Sequence, residues 1–121
     1  MSILFQPIKM GELEISNRFV RSATQDWLGE PDGSISAREI ELYRRVTAGG
    51  PGLIITAHAY VSHPVGKASI LQNAIYDDRF VDGYRRLADA IHQEGGKVAL
   101  QISHAGRQTL PELMEGQTPL A

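Results

Sequence analysis

The 121-residue chain contains no cysteine. That excludes disulfides, thiolate zinc sites and iron–sulfur ligation within these residues. It carries no excess of charge of either sign: 12 basic side chains stand against 14 acidic ones. With no basic stripe there is no electrostatic reason to expect nucleic acid or an anionic membrane surface as a partner. No stretch approaches the ~20 consecutive apolar residues of a membrane span. The N-terminus, MSILFQPIKMGELEI, lacks a basic segment followed by a long apolar run, so no signal peptide is expected and the cytoplasm is the simplest location. No G-x-G-x-x-G opens a helix, and neither a Walker motif nor G-x-S-x-G occurs.

The length sets a default of one domain, spanning 1–121, with a modest core. ILFQPIKMGELEI reads as a short β-hairpin turning around Met10-Gly11-Glu12. NRFVRSA is a candidate strand, and TQDWLGEPDGS after it is a loop with Pro31-Asp32-Gly33 as its turn. Ser36 and Glu39 have capping-box spacing at the start of a helix. Ile40, Tyr43, Val46 and Thr47 share one face of it, with Leu42 beside them, and Gly49-Gly50-Pro51 stops it. GLIITAHA, apolar and β-branched, reads as a strand buried on both faces. YVSHPVGKASILQNAI reads as a long loop. A second helix begins at Asp77 or Asp78, presents Phe80, Tyr84, Leu87, Ala88 and Ile91 on one face, and ends at Gly95-Gly96. KVALQIS is the third strand. The tail from His104 reads as loop or a short irregular helix.

The order is hairpin, β, α, β, α, β. Buried strands alternating with amphipathic helices predict an α/β fold with parallel strands joined by right-handed crossovers. Polar residues gather at the C-terminal strand ends: Ser22, Thr24 and Gln25, then Thr56 and His58, then Gln101, Ser103 and His104. Ligands bind at that edge in parallel α/β folds.

Gln101 offers a donor and an acceptor side by side, which complements the alternating groups of a pyrimidine-like ring. A strand-end Gln bonding backbone is the plainer reading. His58, His63 and His104 could form a metal set or a proton relay. They come from different elements without ligand spacing, which favours structural histidines and no metal. His92 lies on a helix flank. Trp27 could wall a planar ligand or anchor its loop. Arg107 could pair with an anion or with an acid in the tail. Asp26 and Glu30 could be acid/base residues, although loop carboxylates are mostly solvated.

Several of these segments together resemble the old yellow enzyme family, the flavin-dependent NAD(P)H oxidoreductases and ene-reductases. LFQPIKMGELEISNRFVRSAT resembles the family's opening hairpin and first barrel strand. GGPGLIIT is similar to its second strand. DDRFVDGYRRLADAIHQEGGKVALQISHAGRQ is similar to its second helix, third strand and "H-x-GR" motif. The resemblance runs from about Leu4 to Gln108. It implies the N-terminal part, a hairpin plus β-α-β-α-β, of a TIM (β/α)8 barrel with FMN at the C-terminal mouth and the hairpin across the opposite end.

The resemblance further implies that Ser22, Ala23 and Thr24 lie along the flavin, and that Gln101 bonds its pyrimidine ring. Gln25 matches a position commonly Thr or Cys that tunes the flavin potential; Thr24 takes that role if the match shifts by one residue. The family often has Pro at the place of Ala23. His58 stands where a small residue usually approaches the flavin, with Ala57 as the alternative. Trp27 matches a substrate-contacting position in some members. His104 and Arg107 match a loop-ordering motif. NADH or NADPH would be the reductant, and an activated alkene or similar small molecule the substrate.

A full barrel of this class needs ~250 residues, so the expectation is a portion of a larger enzyme, with the family's substrate-anchoring pair beyond residue 121. Taken alone, such a portion would expose parallel strand edges. It is then expected to self-associate or to need the remainder of the barrel, and to show little or no activity alone. The competing reading is a non-catalytic partial barrel or a small α/β binding module without flavin.

Overall fold

A computed structural model describes residues 1–120. The hairpin forms from β1 (Ile8–Met10) and β2 (Leu13–Ile15), antiparallel, with Ile8 opposite Ile15 and Met10 opposite Leu13. Gly11 turns the chain with φ at 62°, a backbone conformation that costs glycine little. The hairpin is tied to the N-terminal ends of the strands that follow. Asn17 accepts hydrogen bonds from the backbone N–H of Phe19 (3.0 Å) and Gly52 (2.9 Å) and donates to the Gly50 carbonyl (2.7 Å).

The parallel sheet consists of β3 (Val20–Arg21), β4 (Leu53–Ile55) and β6 (Val98–Ala99), with β4 in the centre. Its two crossovers are α1 (Ala37–Ala48) and α2 (Val81–Gln93), the latter preceded by a 3-10 turn at Asp78–Phe80. Two further short strands, β5 (Ala59–Tyr60) and β7 (Ile102–Ser103), pair in parallel with each other just past β4 and β6. The α/β order read from the sequence is therefore present.

Both helices lay their apolar faces against β4. Ile35, Tyr43, Ile54, Leu87 and Ile91 form the core, with Ile40, Val46, Tyr84 and Val98 packed around it. Burial on that scale is the main favourable contribution to folding. Gly96 is small because of that packing: a Cβ there would lie 2.5 Å from Thr47 Cγ2 and 2.9 Å from Ile91 Cγ2.

Four details differ from the sequence reading. The second and third strands are each interrupted rather than continuous. Only half of the capping box forms: Ser36 Oγ accepts from the Glu39 N–H at 3.1 Å, while the Glu39 carboxylate turns inward to Asn73. Glu39 is buried at 1% exposure, so a residue read as a cap belongs to the core face. The segment read as a long loop is anchored: Tyr60 bridges Ala74, and Gln72, Asn73 and Ala74 are all buried. The expectation that the second strand is covered on both faces holds for Leu53 and Ile54, whereas Ile55 is only half-buried.

Candidate functional site at the strand C-termini

The interruption in the second and third strands is a β-bulge. The N–H groups of Ile54, Thr56, Ala59 and Val61 donate to the carbonyls of Lys97, Ala99, Gln101 and Ser103 in turn. Between Thr56 and Ala59 the second strand advances three residues while the third advances two. The extra residue bends the strand and re-aims its side chains, a device common beside active sites. Ala57 N–H, displaced from the ladder, donates instead to the Tyr43 hydroxyl at 2.7 Å. Burial pushes the Tyr43 phenol up to about 12, so it stays protonated as a neutral partner.

Around the bulge the structure brings Thr56, His58, Gln101 and Ser103 together. Thr56 Oγ1 accepts from the Gln101 N–H at 3.4 Å and donates to the Ala57 carbonyl at 3.0 Å. The Gln101 carbonyl accepts from Ala59 at 2.9 Å. The backbone of Gln101 is thus engaged on both sides, and its carboxamide is exposed without a hydrogen-bond partner among the described residues. The plainer reading, a Gln bonding nearby backbone through its side chain, does not describe this geometry. His58 is half-buried, its Nδ1 2.9 Å from Ser103 Oγ.

The loop after β3 supplies Ser22 and Thr24, both exposed, and Ala23 and Gln25, both half-buried. Arg21 donates to the Ser22 carbonyl and to Thr24 Oγ1, and Thr24 Oγ1 donates to the Ser22 carbonyl at 3.3 Å. The Thr24 hydroxyl is therefore occupied within its own turn. Gln25 Oε1, by contrast, is a buried acceptor with no partner among the described residues. Trp27 is exposed, with a positive φ of 53°.

The three histidines are not gathered. His63 stacks on Tyr76 with ring centroids 5.1 Å apart and lies 3.2 Å from Glu115. His104 Nδ1 accepts from the Gly106 N–H at 3.0 Å, which orders the turn after the third strand.

Sequence reasoning missed a buried polar cluster behind this edge. Asn73 donates to Glu39 Oε2 at 2.9 Å. Asp26 Oδ1 accepts from the Leu28 N–H at 3.0 Å, and Oδ2 is buried without a partner among the described residues. Burial raises the Glu39 carboxyl to about 7, against the lowering effect of the Asn73 bond, and the nearby Asp26 charge adds to the rise. Gln72, fully buried, lies against His58. No periodicity marks Gln72 or Asn73, because they fold back from an irregular segment.

Parallel strands joined by helices, with polar groups gathered at the C-terminal strand edge, are the arrangement of (β/α)8 barrels and of doubly wound α/β folds alike. The sequence profile of the NADH:flavin oxidoreductase / NADH oxidase family matches residues 3–120, and the chain belongs to that family. It is 42% identical over 118 residues to an NADH oxidase of Thermoanaerobacter brockii, covering 98% of this chain and 18% of that protein. It is 32% identical over 117 residues to a cinnamate reductase of Clostridium sporogenes, covering 93% of this chain and 18% of that protein. The backbone superposes on morphinone reductase in complex with tetrahydroNAD with a TM-score of 0.89 at 27% identity, covering 100% of this chain and 32% of that one. It also superposes on the old yellow enzyme homologue of Zymomonas mobilis with a TM-score of 0.86 at 25% identity, covering 99% of this chain and 33% of that one. The chain thus folds as one part of an old yellow enzyme type barrel and spans under a third of the length of the two relatives. No helix among the described residues is long and apolar enough to cross a membrane.

Proposed function

We propose that residues 1–121 form the N-terminal portion of an FMN-dependent oxidoreductase, acting in the cytoplasm. When bound, FMN supplies hydride transfer from NADH or NADPH to a small acceptor, here an activated alkene or similar compound. The observation that carries this reading is the free Gln101 carboxamide on a rigid strand edge. It stands ready to pair with the alternating N–H and C=O groups of a flavin ring.

The other groups at the edge suit the same ligand. Gln25 Oε1 is an orphaned buried acceptor and calls for a donor from a ligand or solvent. It is better suited than Thr24, whose hydroxyl is engaged, to the potential-tuning position. Ser22 and Ala23 offer backbone alongside, His58 contributes an imidazole beside the bulge, and Trp27 presents an exposed face toward which a substrate could stack. The cinnamate reductase relative, whose named substrate is an α,β-unsaturated acid, supports an activated alkene as acceptor.

The test is a visible absorption spectrum of the purified chain with FMN, read after desalting, followed by NAD(P)H oxidation. A retained flavin spectrum is the expected result. A colourless protein would remove flavin binding from these residues and favour the competing reading, a non-catalytic partial barrel or small α/β binding module without flavin.

A further inference from the structure

The bulge holds His58 by one side of its ring. The Gln72 amide has a fixed orientation, because the Ala68 N–H donates to its Oε1 at 2.7 Å. Its nitrogen, which can only donate, therefore points the other way. It lies 3.3 Å from His58 Nδ1, 3.4 Å from the His58 carbonyl and 3.4 Å from Ser103 Oγ. Ser103 Oγ is itself 2.9 Å from His58 Nδ1. A proton on Nδ1 would face the hydrogens of the amide. With Nδ1 bare, two amide hydrogens and one hydroxyl hydrogen meet three acceptors, and the set closes. The neutral imidazole then carries its proton on Nε2, since the bond at one ring nitrogen decides the tautomer at the other. Gln72 is fully buried, which keeps water from competing for Nδ1. Among the described residues, the buried side-chain atoms left without partners belong to Gln25, Asp26 and Ser69, so His58 Nε2 is not sealed there.

We propose that Ser103 and Gln72 brace His58 as a fixed Nε2–H donor, and that this donor recognises a carbonyl-bearing edge of the flavin ring. The choice of ligand rests on the flavin reading above; the brace does not. Ser103 and Gln72 are positioning residues, and His58 is the residue that touches the ligand. His58 lies two residues before Tyr60, the residue in register with Ser103, so the His58 and Ser103 side chains share one face of the sheet.

The test uses the whole chain with 15N-labelled histidine, at about pH 8, where an ordinary imidazole is neutral. Two-bond proton–nitrogen spectra report which ring nitrogen is bare. The expected result is a bare Nδ1 and a protonated Nε2 for His58, with the Nε2 resonance moving when FMN is added. Ser103→Ala should mix the tautomers while the chain stays folded. His58→Asn should weaken FMN binding by about tenfold, the loss of one hydrogen bond. An Nδ1–H tautomer in the unmodified chain overturns the brace whether or not FMN binds. Bound FMN that leaves the His58 resonances unmoved overturns the donor role. Failure of FMN to bind while the Nε2–H tautomer is present overturns the flavin reading and the ligand assigned here, but leaves the brace standing.

Discussion

The hydroxyl of Tyr43, on the first helix, accepts a hydrogen bond from the backbone N–H of Ala57 at 2.7 Å. The bulge creates that need: the extra residue in the second strand takes Ala57 out of the ladder, inside a core where both residues are 2% exposed. Tyr43→Phe keeps the ring packing and leaves the N–H orphaned. Its expected cost is about 1–3 kcal/mol, the desolvation penalty of an unpaired buried donor. Denaturant unfolding of the two chains measures it; equal midpoints and slopes would show that the bulge does not depend on the phenol.

Glu39 predicts a pH dependence. Its folded-state pKa, raised by burial from 4.5 to about 7, means that the folded chain holds a proton which the unfolded chain releases. The groups around it are Asn73, Ser36 and Asp26, and among these only Asp26 brings a charge. The contribution is complete below about pH 4.5 and is lost as pH rises through 7. Glu39→Gln keeps an acceptor for Asn73 and removes the titration. It should be more stable than the parent at pH 8, by on the order of 3 kcal/mol, with the gap closing toward pH 4.5. A constant difference across that range would contradict a buried, titrating Glu39.

Gln101 separates binding from folding. Gln101 is exposed and its carboxamide makes no hydrogen bond among the described residues, so Gln101→Leu should leave thermal unfolding within about 0.5 kcal/mol of the parent. FMN affinity should fall by about tenfold or more, as ring-pairing hydrogen bonds are lost. Fluorescence titration of FMN and a melting curve on the same preparation give both values. A loss of stability equal to the loss of affinity would assign Gln101 a structural role.

The sheet ends in unpaired strands. Among the described residues β3 and β6 each pair only with β4, and β7 only with β5; Val20 on β3 and Ile102 on β7 are 45% and 62% exposed. Open apolar edges template association. Sedimentation of the whole chain should show a mass that rises with concentration, and Val20→Lys with Ile102→Lys should return it to monomer. A monomeric parent at high concentration would argue against self-association through these edges.

The sequence by itself determined the element order, because local signals are sufficient there. Ser36 starts a helix, glycines stop both helices, and apolar residues recur at helical spacing from Ile40 to Val46 and from Phe80 to Ile91. It also placed Gln101, His58 and the Ser22–Gln25 stretch at one edge, since parallel crossovers bring every C-terminal strand end to the same side. Only the tertiary structure decided the bulge. A one-residue register shift depends on how two strands distant in sequence meet, and no pattern within GLIITAHA or KVALQIS records it. The same reason hid Gln72, Asn73 and the inward turn of Glu39. Their partners come from other segments, and a buried polar residue reads as an ordinary exposed one until those segments close around it.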